Sequence, residues 1–100
     1  MPEATHSVVW TQPALSSLLE IVRYIQRDKP EAALQFAKQV ETKVGNLAHF
    51  PLAGRVVPEF SFSSLRELIF GNYRIIYWLI RSKRRIEVLA VLHGSRQLPK

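Results

Sequence analysis

Apolar residues in the first half of the chain recur at helical spacing, and those in the second half gather in short, dense blocks. Ala14, Leu15, Leu18, Ile21, Val22 and Ile25 fall three or four positions apart, which puts them on one stripe of a helix beginning near Gln12. Pro13 fits there, because the first helical turn has no use for the N–H that proline lacks. Ala33, Phe36, Ala37, Val40, Val44 and Leu47 form a second stripe and predict a second helix. Asp28 followed by Glu31 has the form of a capping-box variant ahead of it, with Pro30 in the first turn. So few residues separate the two helices that an antiparallel hairpin is expected. Ser7-Val8-Val9-Trp10 reads as a short strand before the hairpin, and Phe50-Pro51-Leu52-Ala53-Gly54 as the turn after it.

From Leu65 onward the period shortens. Leu65 to Phe70, Tyr73 to Ile80 and Ile86 to His93 are rich in β-branched and aromatic residues and predict strands. Gly71-Asn72 suits a two-residue hairpin turn between the first two, Ser82-Lys83-Arg84 links the next two, and Arg55-Val56-Val57 allows one more short strand. The predicted fold class is α+β, in the order β-α-α-β-β-β with an optional fourth late strand. A helical hairpin packs on one face of a mostly antiparallel sheet.

The central strand breaks the alternation expected of a sheet with one wet face. Tyr73, Ile75, Tyr77 and Leu79 would line one face, and Ile76, Trp78 and Ile80 the other, together with Arg74. In the last strand, strict alternation puts Ile86, Val88, Ala90 and Leu92 on one face and Leu89 and Val91 on the other. Two helices cover only one side. The expectation is that a partner chain covers the second face, the alternative being that the segment 51–64 folds over it.

Length and composition narrow the class. One hundred residues, 47% of them apolar, suit a single domain spanning 1–100 with one core rather than a disordered chain. No apolar run approaches twenty residues, so no membrane span is expected. Met1-Pro2-Glu3-Ala4-Thr5-His6-Ser7 lacks the features of a signal peptide. There is no cysteine, so neither a disulfide framework nor a thiolate is available. A cytoplasmic protein is expected.

Charge divides the chain. Residues 1–50 hold five basic and five acidic side chains; residues 51–100 hold nine basic and three acidic, so the whole net charge of +6 lies in the second half. Seven of the eight basic residues from Arg55 to Arg96 are arginines, whose planar fork suits phosphates and carboxylates. Such a surplus either solubilises a surface or marks the footprint of an anionic partner.

Most catalytic designs lack their parts. Four scattered glycines form no phosphate loop. The single aspartate, Asp28, opens a helix, which leaves a Ser-His-Asp triad without a natural third member. His6, His49 and His93 do not cluster as ligands, so no metal and no cofactor are expected. An arginine set with one histidine remains. Arg66 and Arg74 flank the Gly71-Asn72 turn on adjacent strands and are expected to approach each other, while His93-Gly94-Ser95-Arg96 closes the last strand. A histidine beside guanidinium groups could move a proton while an arginine holds phosphate; the bland reading of His93 is a hydrogen-bonded strand end. Arg66, Arg74, Trp78, Arg81, Arg84, Arg85, His93 and Arg96 are the candidate partner-binding residues.

These segments together resemble the RelE/ParE superfamily of type II toxin–antitoxin toxins, in its ParE-like branch. The likeness runs through Val9-Trp10-Thr11, Ile21-Val22-Arg23-Tyr24-Ile25, Pro30-Glu31-Ala32-Ala33, Phe50-Pro51-Leu52-Ala53-Gly54-Arg55, Arg66-Glu67-Leu68, Gly71-Asn72-Tyr73-Arg74-Ile75-Ile76-Tyr77 and Val91-Leu92-His93-Gly94-Ser95-Arg96. The resemblance implies a helical hairpin on an antiparallel sheet and a cognate antitoxin encoded nearby. It also implies a growth-arresting activity, associated with DNA gyrase inhibition in ParE-like members and with ribosome-dependent mRNA cleavage in RelE-like ones. The RelE-like enzymes combine several Lys and Arg with a Tyr or His near the C-terminus. Here no lysine accompanies Arg55 and no tyrosine follows His93. The expectation is therefore a gyrase-binding toxin without catalysis, neutralised by its antitoxin. The alternatives are a nuclease built on Arg66, Arg74, His93 and Arg96, acting on mRNA at the ribosome, and a protein-binding module with no toxicity.

Overall fold

The computed structural model describes residues 5–99, so residues 1–4 and Lys100 of the expected 1–100 domain lie outside the description. Strand β1 (Ser7–Trp10) leads into helices α1 (Gln12–Gln26) and α2 (Pro30–Gly45), followed by β2 (Arg55–Val56), β3 (Leu65–Phe70), β4 (Tyr73–Ile80) and β5 (Arg85–His93). The five strands form one sheet in the order β1-β5-β4-β3-β2. Every pairing is antiparallel except that of β1 with β5. The α+β expectation is met.

Thr11 starts α1 by two bonds from one hydroxyl. Its Oγ1 accepts from the Ala14 N–H at 3.3 Å and donates to the Val88 carbonyl at 2.7 Å, which ties the helix start to β5. The capping box expected at Asp28 and Glu31 does not form. The Asp28 N–H still turns back to the Ile25 carbonyl, so Lys29 becomes the N-cap of α2 and gives no side-chain bond. Pro30 at the first helical position sets the start instead.

The helices cover one sheet face. Ala14, Phe36, Val40 and Val44 pack on Ile75, Val88 and Val91. Leu47, in a short 3₁₀ turn beyond α2 rather than in it, joins Tyr77, Leu79 and Ile86. Leu15 lies on the rim of the expected stripe and stays exposed.

On β5 the alternation expected from the sequence is wrong after Val88. Ile76 pairs with Ala90 and Tyr77 with Val88, so Leu89 is an extra, bulged residue. A bulge moves every later side chain to the other face. Ile86, Val88 and Val91 therefore meet the helices, and Leu89 and Leu92 face away from them. On that second face the chain largely covers itself, against the expectation of a partner. Val57 and Phe60 from the loop and Leu98 from the C-terminal segment pack on Leu65, Ile76, Leu89 and Leu92. Full burial of a side chain such as Val57 or Ile76 stabilises by roughly 1.5–3 kcal/mol, which favours folding the loop over the face. Trp78, 42% exposed, and Ile69, 50% exposed, are the β3–β4 residues left open there.

Candidate functional site

The β3–β4 register decides where the arginines go. Arg66 lies opposite Tyr77 and Arg74 opposite Ile69, so the two point to opposite sheet faces and do not approach as expected. Arg66, on the helix side, donates through Nη1 to the Gly54 carbonyl and through Nε to the Ser63 carbonyl, both at 2.9 Å. It works as a loop brace.

Arg74 is buried on the second face between two carboxylates. Its Nε donates to Glu67 Oε1 at 2.6 Å, and Nη1 and Nη2 each reach a Glu59 oxygen at 2.7 Å. Nη1 also donates to the Arg96 carbonyl at 2.9 Å. Glu67 holds Arg55 with its other oxygen at 2.6 Å, and Glu59 accepts the Leu98 N–H at 3.0 Å. The Arg74 hydrogen bonds, aided by the Leu98 N–H, hold the Glu59 carboxyl down at about 2, while Glu59 foremost pushes the Arg74 guanidinium above its ordinary range. The network straps the loop and the C-terminal segment to the sheet. It spends the Arg74 donors on protein acceptors, at a position named from the sequence as a partner contact.

Around this network a cleft of about 620 Å³ opens at the Gly71-Asn72 turn, lined by Arg55, Asn72, Tyr73, His93 and Ser95. His93 Nδ1 lies 2.8 Å from Ser95 Oγ and accepts the Ser95 N–H at 3.3 Å, so in the neutral ring the proton sits on Nε2. Tyr73 meets the His93 ring edge-on, with centroids 5.7 Å apart. This is the hydrogen-bonded strand end of the bland reading. Arg96 donates its N–H to the His93 carbonyl at 3.0 Å, and together with His93 and Tyr73 it lines an adjoining groove of about 490 Å³, walled by Glu20 and Tyr24 of α1. No ion pair holds the Arg96 guanidinium among the described residues.

The remaining candidates sit elsewhere. Arg81, Arg84 and Arg85 cluster at the β4–β5 connection, the whole length of β4, about 25 Å, from the Gly71-Asn72 turn. Arg85 is paired with Glu87 at 3.1 Å. Trp78 lies on the second face between the two ends. The basic residues of the second half therefore gather in two separate places, one at each end of β4. Among the described residues no group of carboxylates and histidines could hold a metal, and no helix is long and apolar enough to cross a membrane.

Sequence reasoning missed Tyr77 as an organiser of this end and did not assign Glu59 and Glu67 to Arg74. A signal existed for Glu67: it alternates with Leu65 and Ile69 on one face of β3, and an acid in such a row needs a buried cation. For Tyr77 there was none. Its fully buried hydroxyl donates to the Pro51 carbonyl and accepts the Gly54 N–H, both at 2.9 Å, a partnership set by the loop's path.

The family described as the ParE toxin of the type II toxin–antitoxin system parDE matches residues 8–98. A Sinorhizobium fredii protein named "Putative toxin Y4kP" is 38% identical over 92 residues, 90% of each chain. The fold is similar to a chain of the chromosomal ParDE TA system from P. aeruginosa, with a TM-score of 0.73 and 20% identity over 89% of this chain and 96% of that one. It is also similar to a chain of the intact E. coli RelBE toxin–antitoxin complex, with a TM-score of 0.63 and 16% identity over 91% and 99%.

Proposed function

The chain belongs to the ParE toxin family of type II toxin–antitoxin systems, and from that premise we propose that it arrests growth by binding DNA gyrase and is held inactive by a cognate antitoxin. The observation that carries the choice of binding over catalysis is the engagement of Arg74. A nuclease built on Arg66, Arg74, His93 and Arg96 would need the Arg74 guanidinium to take phosphate, and it is committed to Glu59, Glu67 and the Arg96 carbonyl. His93 is tethered to Ser95 beside it.

The accessible groups suit an interface. Arg96, without an ion pair among the described residues, and Tyr24, 71% exposed, line the groove between α1 and the end of β5. Tyrosine and arginine are the side chains that most often dominate a binding surface. In this reading the target seats on that groove and the antitoxin neutralises by covering it.

Expression in cells tests the proposal. A poisoned gyrase produces DNA breaks and filamentous cells before protein synthesis falls. Translation stopping first, with messages cut on ribosomes, would contradict it.

A further inference from the structure

β4 turns into β5 through Arg81–Lys83 and Arg84, and the tip carries three cations that no ion pair neutralises among the described residues. Arg81, Lys83 and Arg84 are exposed and form no ion pair among the described residues, whereas Arg55, Arg74 and Arg85 each hold a glutamate. Arg84 also adopts φ 46° and ψ 48°, the left-handed conformation that glycine or asparagine takes with least strain. A large cation at that position carries a backbone cost, and strained positions of this kind gather where a side chain is needed for recognition.

Trp78 stands beside the tip. It precedes Arg81 by three residues, about 10 Å along the strand, and the residue is 42% exposed on the face away from the helices. Glu87, directly opposite Trp78, is paired with Arg85, so it does not cancel the charge of the tip.

We propose that this hairpin tip binds single-stranded nucleic acid, with Arg81, Lys83 and Arg84 on successive phosphates and the Trp78 indole stacked on an unpaired base. A single strand presents a phosphate and a flat base at every nucleotide, which matches cations and an open ring placed this close together. A duplex hides its base faces. An acidic peptide satisfies the cations but brings no obligatory ring. The inference is independent of gyrase as the target and concerns the end of the sheet away from Arg96.

Fluorescence titration of the purified chain with labelled oligo(dT) and oligo(U) dodecamers tests it, beside an equal-length duplex and polyglutamate, from about 50 to 200 mM salt. Three phosphate contacts predict a slope of about −2 in log affinity against log salt, and alanine at Arg81, Lys83 or Arg84 makes it shallower by about 0.7 each. Trp78 emission is quenched by the single strands and not by the duplex, and Trp78→Ala weakens binding by about tenfold or more. Trp10 packs on the core and supplies an unquenched background. Arg84→Gly separates recognition from folding: it relieves the strained backbone, so the melting temperature rises while affinity falls. A salt slope unmoved by the tip substitutions, or polyglutamate bound as tightly as the oligonucleotides, overturns the proposal.

Discussion

Arg74 grips Glu59 with both terminal nitrogens at 2.7 Å, on the sheet face that the helices do not cover. Removing one member of such a buried pair strands the other. Arg74→Ala leaves Glu59 and Glu67 without their shared cation and is expected to cost about 3–5 kcal/mol in urea unfolding. Replacing Arg74, Glu59 and Glu67 together by methionine removes the charges at once and should recover most of that loss. The triple variant should also still arrest growth. A stable but harmless triple variant would mean that the guanidinium itself is needed for toxicity.

The same pair sets an acid limit. Glu59 has its carboxyl lowered from 4.5 to about 2, first by the Arg74 hydrogen bonds. A lowered folded value contributes stability that is complete above pH 4.5 and lost as pH falls toward 2. The stability gap between wild type and Glu59→Gln should therefore narrow across that window in denaturant melts. A gap unchanged down to pH 2 would remove Arg74 as its cause.

Gly54 and Tyr77 give a third test. A Cβ on Gly54 would lie 2.5 Å from the Glu67 carbonyl oxygen and 2.7 Å from the Tyr77 ring and hydroxyl, so the loop must move away from β3 and β4. Gly54→Ala is expected to destabilise by about 1–3 kcal/mol. Tyr77→Phe leaves the Gly54 N–H and Pro51 carbonyl unpaired, at a cost of about 1–3 kcal/mol. Burial raises the Tyr77 hydroxyl above its ordinary value of 10, so its stabilisation holds below pH 10 and fades as pH rises further. The alkaline loss should be absent in Tyr77→Phe.

The helices, the β3–β4 hairpin and the α+β class were legible because each rests on local information: a stripe of three-and-four spacing, or a Gly71-Asn72 turn between apolar runs. The faces of β5 were not legible beyond Val88, since no composition marks where Leu89 slips out of register. Arg66 and Arg74 looked like neighbours in sequence, yet their separation by eight positions puts them on opposite faces once Phe70 pairs with Tyr73. The partners of Arg74 lie 15 residues away, at Glu59, and 7 away, at Glu67. Only the folded loop brings Glu59 to it. Charge content was readable; which charges remain free was not.

Inhibition of supercoiling by purified gyrase tests the central claim most directly, with wild type, His93→Ala and Arg96→Ala compared and ribosome-dependent cleavage of a translated message run beside them. The wild-type chain is predicted to block supercoiling and to leave the message intact. Arg96→Ala should lose on the order of thirtyfold in potency, the scale of a dominant interface arginine, and His93→Ala only a few-fold. Unimpaired supercoiling, together with message cleavage that disappears in His93→Ala, would contradict the account and make His93 a proton-transferring catalytic residue.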